Sequence, residues 1–416
     1  MPDGAPTPLV RVLACGDVDH GKSTLVGRLL HDSGALFDDQ LQSLRRESAR
    51  RGRTAEPIDF SLAVDGLKAE RDEGRTIDVA YRHLSTPRRR LILADVPGHD
   101  QYTRNMVTAA SQCDLAIVVV DVTRGVLRQT RRHGFLADLL RVDEIVVAVN
   151  KMDLTGYDEA AFTRARSELG ASFSAARVHF VATSGLRGDN VVTRSEHMPW
   201  YRGRTLLELL ETARVEPDRT AVGLRFPVQL VLGSERGPAG ARRYAGSVAS
   251  GILRKGAEVA VLPSGRRVRI GAIETFDGEL EQATACAAVV VRIDDADLAR
   301  GDMLADPGDM PRMVDRFEAM LVWMDEASLV VGRAYLLKRA CATVRAVVRA
   351  VAGRVDVDTR GRIPGGELCQ NDIGQVTIEA SQPLALDPYA RSRTTGSFIL
   401  IDAESNATAA AGIILG

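Results

Sequence analysis

Residues 16 to 23, Gly16-Asp17-Val18-Asp19-His20-Gly21-Lys22-Ser23, fit the phosphate-loop pattern G-x-x-x-x-G-K-[ST] at every fixed position. An apolar run, Leu9 to Cys15, precedes them and a helical pattern, Thr24 to His31, follows. That strand–loop–helix setting is what the motif requires. Small residues let successive backbone N–H groups curl around a triphosphate, and the helix N-terminus adds partial positive charge. Lys22 is suited to bridge the β- and γ-phosphates, and the Ser23 hydroxyl to ligate the Mg²⁺ they carry, with Thr24 completing the phosphate-binding set.

Three further segments sit at the ends of apolar runs. Asp95-Val96-Pro97-Gly98-His99 follows Leu91 to Ala94. A carboxylate ending a buried strand is badly placed for a core but well placed to hold Mg²⁺ through water. Gly98 lacks a side chain, so its N–H can approach a γ-phosphate. Asn150-Lys151-Met152-Asp153 ends the run Ile145 to Val149. The Asp153 carboxylate can accept two N–H groups from a guanine edge, whereas adenine leaves it opposed; sites built this way reject the wrong partner by roughly 10⁴–10⁵-fold. Asn150 is expected to tie this loop back to the phosphate loop, and the Lys151 stem to lie on the base plane. Ser184-Gly185-Leu186, after the run Val178 to Thr183, is similar to a further guanine-contacting loop. Thr76, in Glu73-Gly74-Arg75-Thr76-Ile77-Asp78, is placed to reach Mg²⁺ only while a γ-phosphate is present, so that its loop orders with GTP and loosens after hydrolysis. Together these segments name the nucleotide as GTP.

Elements must bring these loops to one place. Residues 8 to 213 alternate short apolar strands with helical stretches at Gln101–Gln112, Leu127–Leu140, Asp158–Leu169 and Thr205–Thr212. Such alternation predicts an α/β phosphate-loop domain, a mostly parallel sheet with helices on both faces and the motif loops along its carboxyl edge. A long polar connection, residues 32 to 75, includes the charged segment Asp38–Arg53 and is expected to be functional. Val215-Glu216-Pro217-Asp218-Arg219 reads as a linker. Beyond it strands at Arg225–Val231, Ala245–Ser250, Glu258–Leu262 and Val268–Thr275, and then Phe317–Trp323, Cys341–Val351, Gly374–Ala380 and Ser397–Asp402, predict two antiparallel β-barrels. The expected domains are 1–214, 221–308 and 311–416, with a seam at Asp306-Pro307-Gly308-Asp309.

The chain has 416 residues, 45% of them hydrophobic, and Lys+Arg 54 against Asp+Glu 55 gives a net charge of −1. No global field draws it to nucleic acid or a membrane. Its mean hydropathy is −0.07. Five cysteines (15, 113, 286, 341 and 369), odd in number and without C-x-x-C, predict reduced, mostly buried thiols rather than disulfides or a zinc site. No signal-peptide pattern and no membrane-length apolar run is seen, so a cytoplasmic protein is expected.

The chain resembles the GTP-binding large subunit (subunit 1) of bacterial sulfate adenylyltransferase, within the translational GTPases, over about residues 9 to 412. The resemblance is carried by Gln101-Tyr102-Thr103-Arg104-Asn105-Met106, Gln129-Thr130-Arg131-Arg132-His133, Gly188-Asp189-Asn190-Val191, Met198-Pro199-Trp200-Tyr201, Val322-Trp323-Met324 and Pro383-Leu384-Ala385-Leu386-Asp387-Pro388-Tyr389, among others. It implies a separate small subunit that binds ATP and sulfate and makes adenosine 5′-phosphosulfate plus pyrophosphate, driven by GTP hydrolysis on this chain. It also implies that His99 orients or polarises the attacking water, with Asp19 helping to place charge near the β–γ bridge. The fused adenylylsulfate kinase of some relatives is not expected here. Two departures stand out. The phosphate loop differs from the sulfate-type relatives at Asp17 and His20, the latter matching elongation factors. Arg75 stands where relatives carry Ile in an apolar gate, which leaves two readings: an open or rebuilt gate, or an Arg turned to solvent. Two rival functions remain at this point, a translation factor delivering aminoacyl-tRNA and a paralogue activating sulfate for a sulfated metabolite.

Overall fold

The computed structural model describes residues 9–51, 58–64, 78–170, 173, 177–214, 222–233, 242–293 and 297–416. Thr76 and Arg75 lie outside the described residues. The chain divides into two compact units, Met1–Glu216 with Val357–Thr359, and Pro217–Asp356 with Arg360–Gly416.

In the first unit the strands are β1 (Leu9–Gly16), β2 (Ala80–Ser85), β3 (Arg90–Asp95), β4 (Leu115–Asp121), β5 (Glu144–Asn150) and β6 (Arg177–Ala182). They form one sheet in the order β2-β3-β1-β4-β5-β6. Every neighbouring pair is parallel except β2 on β3. Strands β4 and β5 are buried along their whole length, as their Val- and Ile-rich sequences require when both faces are covered. Helices α1 (Lys22–Asp32), α2 (Asp38–Arg51), α3 (Thr103–Ala110), α4 (Arg128–Leu139), α5 (Glu159–Gly170) and α6 (Leu206–Thr212) complete the unit. Leu25, Val26, Leu29 and Leu30 of α1 enter the same core as Val10, Val12, Ile117 and Val119 of the sheet. That packing fixes the helix N-terminus beside the tip of β1. The expected α/β class with a mostly parallel sheet is what forms.

Several expectations are corrected in detail. The polar connection after α1 contains α2, a full helix whose acidic first turn (Asp38, Asp39) favours its N-terminus. Among residues 38–50 of α2 only Leu44 and Ser48 are buried, which is why its sequence reads as solvated chain. The helix expected over Gln101–Gln112 begins as a short turn, Asp100–Tyr102, before α3 proper. Strand β2 was not expected; as an edge strand it is half exposed and weakly patterned.

The second unit is all-β among its described residues, in sheets of eight, two and seven strands. Two large apolar cores lie in it, one around Phe226, Tyr244 and Val291, the other around Trp323, Leu337 and Ile378, with a smaller cluster of Leu262, Met303, Ala305 and Ala385. The strand expected at Val268–Thr275 is two strands, Arg266–Arg269 and Ala272–Thr275, which pair with different neighbours on either side of Ile270-Gly271. The strand expected at Ala245–Ser250 runs from Arg242 to Ser247. Deep inside this unit Arg225 and Asp387, 0% and 1% exposed at their side chains, form a two-pronged ion pair. Thr395 Oγ1 donates to the same carboxylate at 2.7 Å. Burial opposes ionisation of Asp387, but these donors overcome it and hold its carboxyl below the usual range.

All five cysteines are thiols, but the expectation that most are buried fails: Cys15 and Cys113 are buried, Cys341 is intermediate, and Cys286 and Cys369 are exposed. Among the described residues, no helix is long and apolar enough to cross a membrane.

Candidate nucleotide site at the strand tips

The phosphate loop leaves β1 at its carboxyl end and closes onto α1. Lys22, 6% exposed, sends Nζ back to the Asp17 carbonyl oxygen at 2.7 Å, so the loop encircles its own ammonium group. Burial lowers the Lys22 pKa, and the Asp95 carboxylate is the strongest influence opposing that shift. Val18 N–H bonds the Asp17 carboxylate at 2.6 Å, and Asp19 adopts a positive φ of 61°. The Ser23 hydroxyl donates to Asp95 Oδ2 at 2.7 Å, and Asp95 is fully buried at the end of β3. Sheet register brings them together, because Asp95 lies opposite Ala14 of β1.

After Asp95 the chain turns through Val96, whose N–H bonds the Ala14 carbonyl at 3.1 Å, and Pro97. Gly98 then abuts the phosphate loop. A Cβ there would sit 2.5 Å from Lys22 Nζ and 2.7 Å from Val18 N. His99 Nδ1 accepts the Gln101 N–H at 3.3 Å, and its ring meets Tyr102 edge-on with centroids 6.3 Å apart.

At the opposite end, one amide joins three loops. Asn150 Nδ2 donates to the His20 carbonyl at 3.0 Å, and its Oδ1 accepts the Gly185 N–H at 2.8 Å. Gly21 is required there, since a Cβ would meet Asn150 Nδ2 at 2.6 Å and its φ is +85°. Lys151 Nζ pairs with Asp121 Oδ2 at 2.8 Å and also bonds the Asp19 carbonyl. Met152 turns its side chain into the core, while its N–H bonds the Thr183 carbonyl at 3.1 Å. Asp153 Oδ1 is buried and meets no hydrogen-bond partner within the protein. The Ser184 hydroxyl accepts the Arg187 N–H at 3.1 Å, and the Leu186 carbonyl accepts from Arg28 at 2.9 Å. Thr24, helical in α1, follows Ser23 directly.

Beneath the loop lie two buried histidines. His20 Nδ1 faces the Val119 carbonyl at 3.1 Å, and His133 Nδ1 accepts the Gly16 N–H at 3.1 Å. Burial lowers the pKa of both, that of His133 to about 3.

Every described residue expected in the site therefore gathers on the carboxyl edge of the sheet. Residues that sequence reasoning missed are Asp121, which grips Lys151, Thr123, which holds Asp121, and His133 as the support of Gly16. Thr123 N–H and Oγ1 bond Asp121 Oδ1 at 2.8 and 2.6 Å. Burial works against ionisation of Asp121, yet the Lys151 and Thr123 bonds prevail and keep its carboxyl below the usual range. Its signal was present: Asp121, like Asp95, ends an apolar run.

The arrangement fits a guanine nucleotide with a hard cation. The buried, unpartnered Asp153 oxygen suits the paired N–H groups of guanine. Gly98 leaves space beside Lys22 that a Cβ would fill. Ser23 and Asp95 offer oxygen donors of the kind Mg²⁺ takes alongside phosphates.

Comparison with known proteins agrees with this geometry. Residues 7–215 match the elongation factor Tu GTP binding domain, and residues 316–415 match the GTP-eEF1A C-terminal domain-like family. Sulfate adenylyltransferase subunit 1 of Shewanella oneidensis is 49% identical over 98% of this chain and 85% of its own length. The corresponding subunit of Laribacter hongkongensis is 48% identical over 98% of this chain and 85% of its own. A protein of Rhodopirellula baltica named bifunctional enzyme CysN/CysC is 48% identical over 98% of this chain, which spans 63% of it. The chain belongs to the sulfate adenylyltransferase subunit 1 family, and its first unit is a GTP-binding domain of the elongation factor Tu type.

Proposed function

We propose that this chain is the GTP-hydrolysing subunit of a cytoplasmic sulfate-activating complex. A small partner subunit binds ATP and sulfate and forms adenosine 5′-phosphosulfate and pyrophosphate. Hydrolysis of GTP here drives that uphill step. One observation carries the GTP part of the reading: the Asn150 amide holds the phosphate loop and the Gly185 loop together, and Asp153, three residues on, keeps a buried carboxylate oxygen with no partner in the protein. The names of the relatives support the sulfate part.

In this reading the phosphate loop, residues 16–23, cradles the triphosphate, and Lys22 neutralises its β- and γ-oxygens. Asp153 selects guanine, with Lys151 beside the base and Gly185 closing the far side. Mg²⁺, held by Ser23 and by Asp95 and Thr76, supplies charge neutralisation across the β- and γ-phosphates when bound. His99 orients the attacking water, and Asp19 shapes the charge near the β–γ bridge. Catalysis then rests on positioning and charge stabilisation, which dominate phosphoryl transfer.

The test is pyrophosphate release from ATP and sulfate by this chain with its small partner subunit, with and without GTP. GTP-stimulated release supports the reading. Release indifferent to GTP, or co-purification with tRNA in place of an adenylylating partner, overturns it.

A further inference from the structure

Two stretches that carry the family resemblance, Gly188-Asp189-Asn190-Val191 and Met198-Pro199-Trp200-Tyr201, have no part in the chemistry described so far. In the structure they build a buttress behind the guanine end of the site. At its centre is Asp189, 8% exposed. Its Oδ1 accepts from the Ser195 hydroxyl at 2.6 Å and from His197 Nδ1 at 3.1 Å. Its Oδ2 accepts from the Tyr157 hydroxyl at 3.1 Å. Its backbone carbonyl accepts the Ser184 N–H at 3.2 Å, in an isolated bridge between the two residues.

These bonds reach both guanine-contacting loops. Tyr157 closes the turn that carries Asp153: it has a positive φ of 63°, and its N–H bonds the Met152 carbonyl at 2.9 Å. Trp200 Nε1 holds the Tyr157 carbonyl at 2.9 Å, and His197 stacks on the Tyr157 ring at 4.9 Å and 12°. Asn190 fixes the buttress itself, donating to the Ala182 carbonyl and accepting the Ser195 N–H, both at 2.9 Å. Burial, and then the Asp189 charge, push the Tyr157 hydroxyl up to about 12, so it stays a donor at every physiological pH.

We propose that Asp189 is a positioning residue for guanine recognition, setting the Asp153 loop in register with the Ser184–Leu186 loop through Tyr157, Ser195 and His197. The physical reason is the demand of a two-pronged bond. A carboxylate accepting both ring N1–H and the 2-amino group must lie in the plane of the base, whereas a single bond tolerates a tilt. Hypoxanthine lacks the 2-amino group. A displaced Asp153 therefore costs guanine nucleotides more than inosine nucleotides.

This inference rests on the guanine-binding reading, and the experiment separates the two. Affinities of GDP and IDP are measured by displacement of a fluorescent GDP from the full chain, for the parent, Asp189→Asn and Tyr157→Phe. The parent is expected to prefer GDP by about tenfold or more, the worth of one hydrogen bond to a charged group. In Asp189→Asn GDP affinity is expected to fall about tenfold and the GDP/IDP ratio to shrink toward unity. Tyr157→Phe, which deletes one hydroxyl and keeps the stacking, moves the ratio the same way by less. Should Asp189→Asn fail to fold, Tyr157→Phe alone decides. A ratio unchanged in the folded variants, even with a lower melting temperature, shows that Asp189 only holds the fold and overturns the proposal. A parent that binds neither nucleotide, or does not discriminate them, overturns the guanine reading and this inference with it.

Discussion

His133 Nδ1 accepts the backbone N–H of Gly16 at 3.1 Å, so a side chain from α4 supports the first residue of the phosphate loop from below. The other ring nitrogen, Nε2, lies 3.0 Å from Gln129 Nε2. Burial, and then nearby Lys22, keep this imidazole neutral down to a pKa of about 3.

The pH dependence of stability follows from that bond. In the unfolded chain the His133 pKa is about 6.5, so between that value and about 3 the unfolded state binds the extra proton. The stability this neutral His contributes is complete above pH 6.5 and is lost as pH falls toward 3, with a slope of about 1.4 kcal/mol per pH unit. His20, lowered chiefly by burial, acts in the same direction. The chain has two tryptophans, Trp200 in the first unit and Trp323 in the second. Urea unfolding followed by Trp200 in a Trp323→Phe background reads the first unit by itself. His133→Gln should lower stability at pH 7.5 and flatten the acid slope by one group's share. An unflattened slope would assign the proton elsewhere.

Asp153→Asn should exchange guanine for xanthine. An amide at this position offers a donor to the 2-carbonyl of xanthine and can no longer accept two N–H groups. GDP affinity is expected to drop by about a hundredfold or more, with XDP becoming the better competitor. Displacement titrations with both nucleotides decide it; a variant that still prefers GDP would remove Asp153 from base recognition.

For His99, binding and hydrolysis should separate. The ring accepts the Gln101 N–H at 3.3 Å and meets Tyr102 edge-on. His99→Ala is expected to leave GDP affinity within about twofold and to slow single-turnover GTP hydrolysis by roughly 10²–10⁴. Equal loss of both would point to a binding role instead.

The Arg225–Asp387 pair should matter most when halved. Removing one partner leaves a buried charge uncompensated, so Arg225→Ala or Asp387→Ala is expected to destabilise the second unit by about 3–5 kcal/mol. Replacing both by apolar residues should cost less than either single change. Trp323 fluorescence in a Trp200→Phe background measures this, and additive single effects would contradict the buried-pair account.

Much of the nucleotide end was legible because its chemistry sits at fixed spacings on strand tips. Gly16 to Ser23, Asp95 and Asn150 each follow an apolar run, and the sheet needs only its parallel order to bring them together. What was not legible depends on contacts between distant residues or on weak burial. Over residues 38–50 the α2 helix buries two positions, too few to print a period on the sequence. The split at Ile270-Gly271 reflects a change of pairing partner, which no local pattern announces. The Asp189 cluster joins residues 157, 189, 195 and 197 across a folded loop, so the stretches could be recognised but their work could not be read.

The placement of the thiols has a practical corollary for spectroscopy. Both thiols of the first unit, Cys15 and Cys113, are buried, while the exposed Cys286 and Cys369 belong to the second. Maleimide dyes or spin labels applied to the native chain would therefore mark one half and leave the other chemically silent. An unengineered sample thus comes with attachment points for watching the β-rich half while guanine nucleotides are turned over elsewhere.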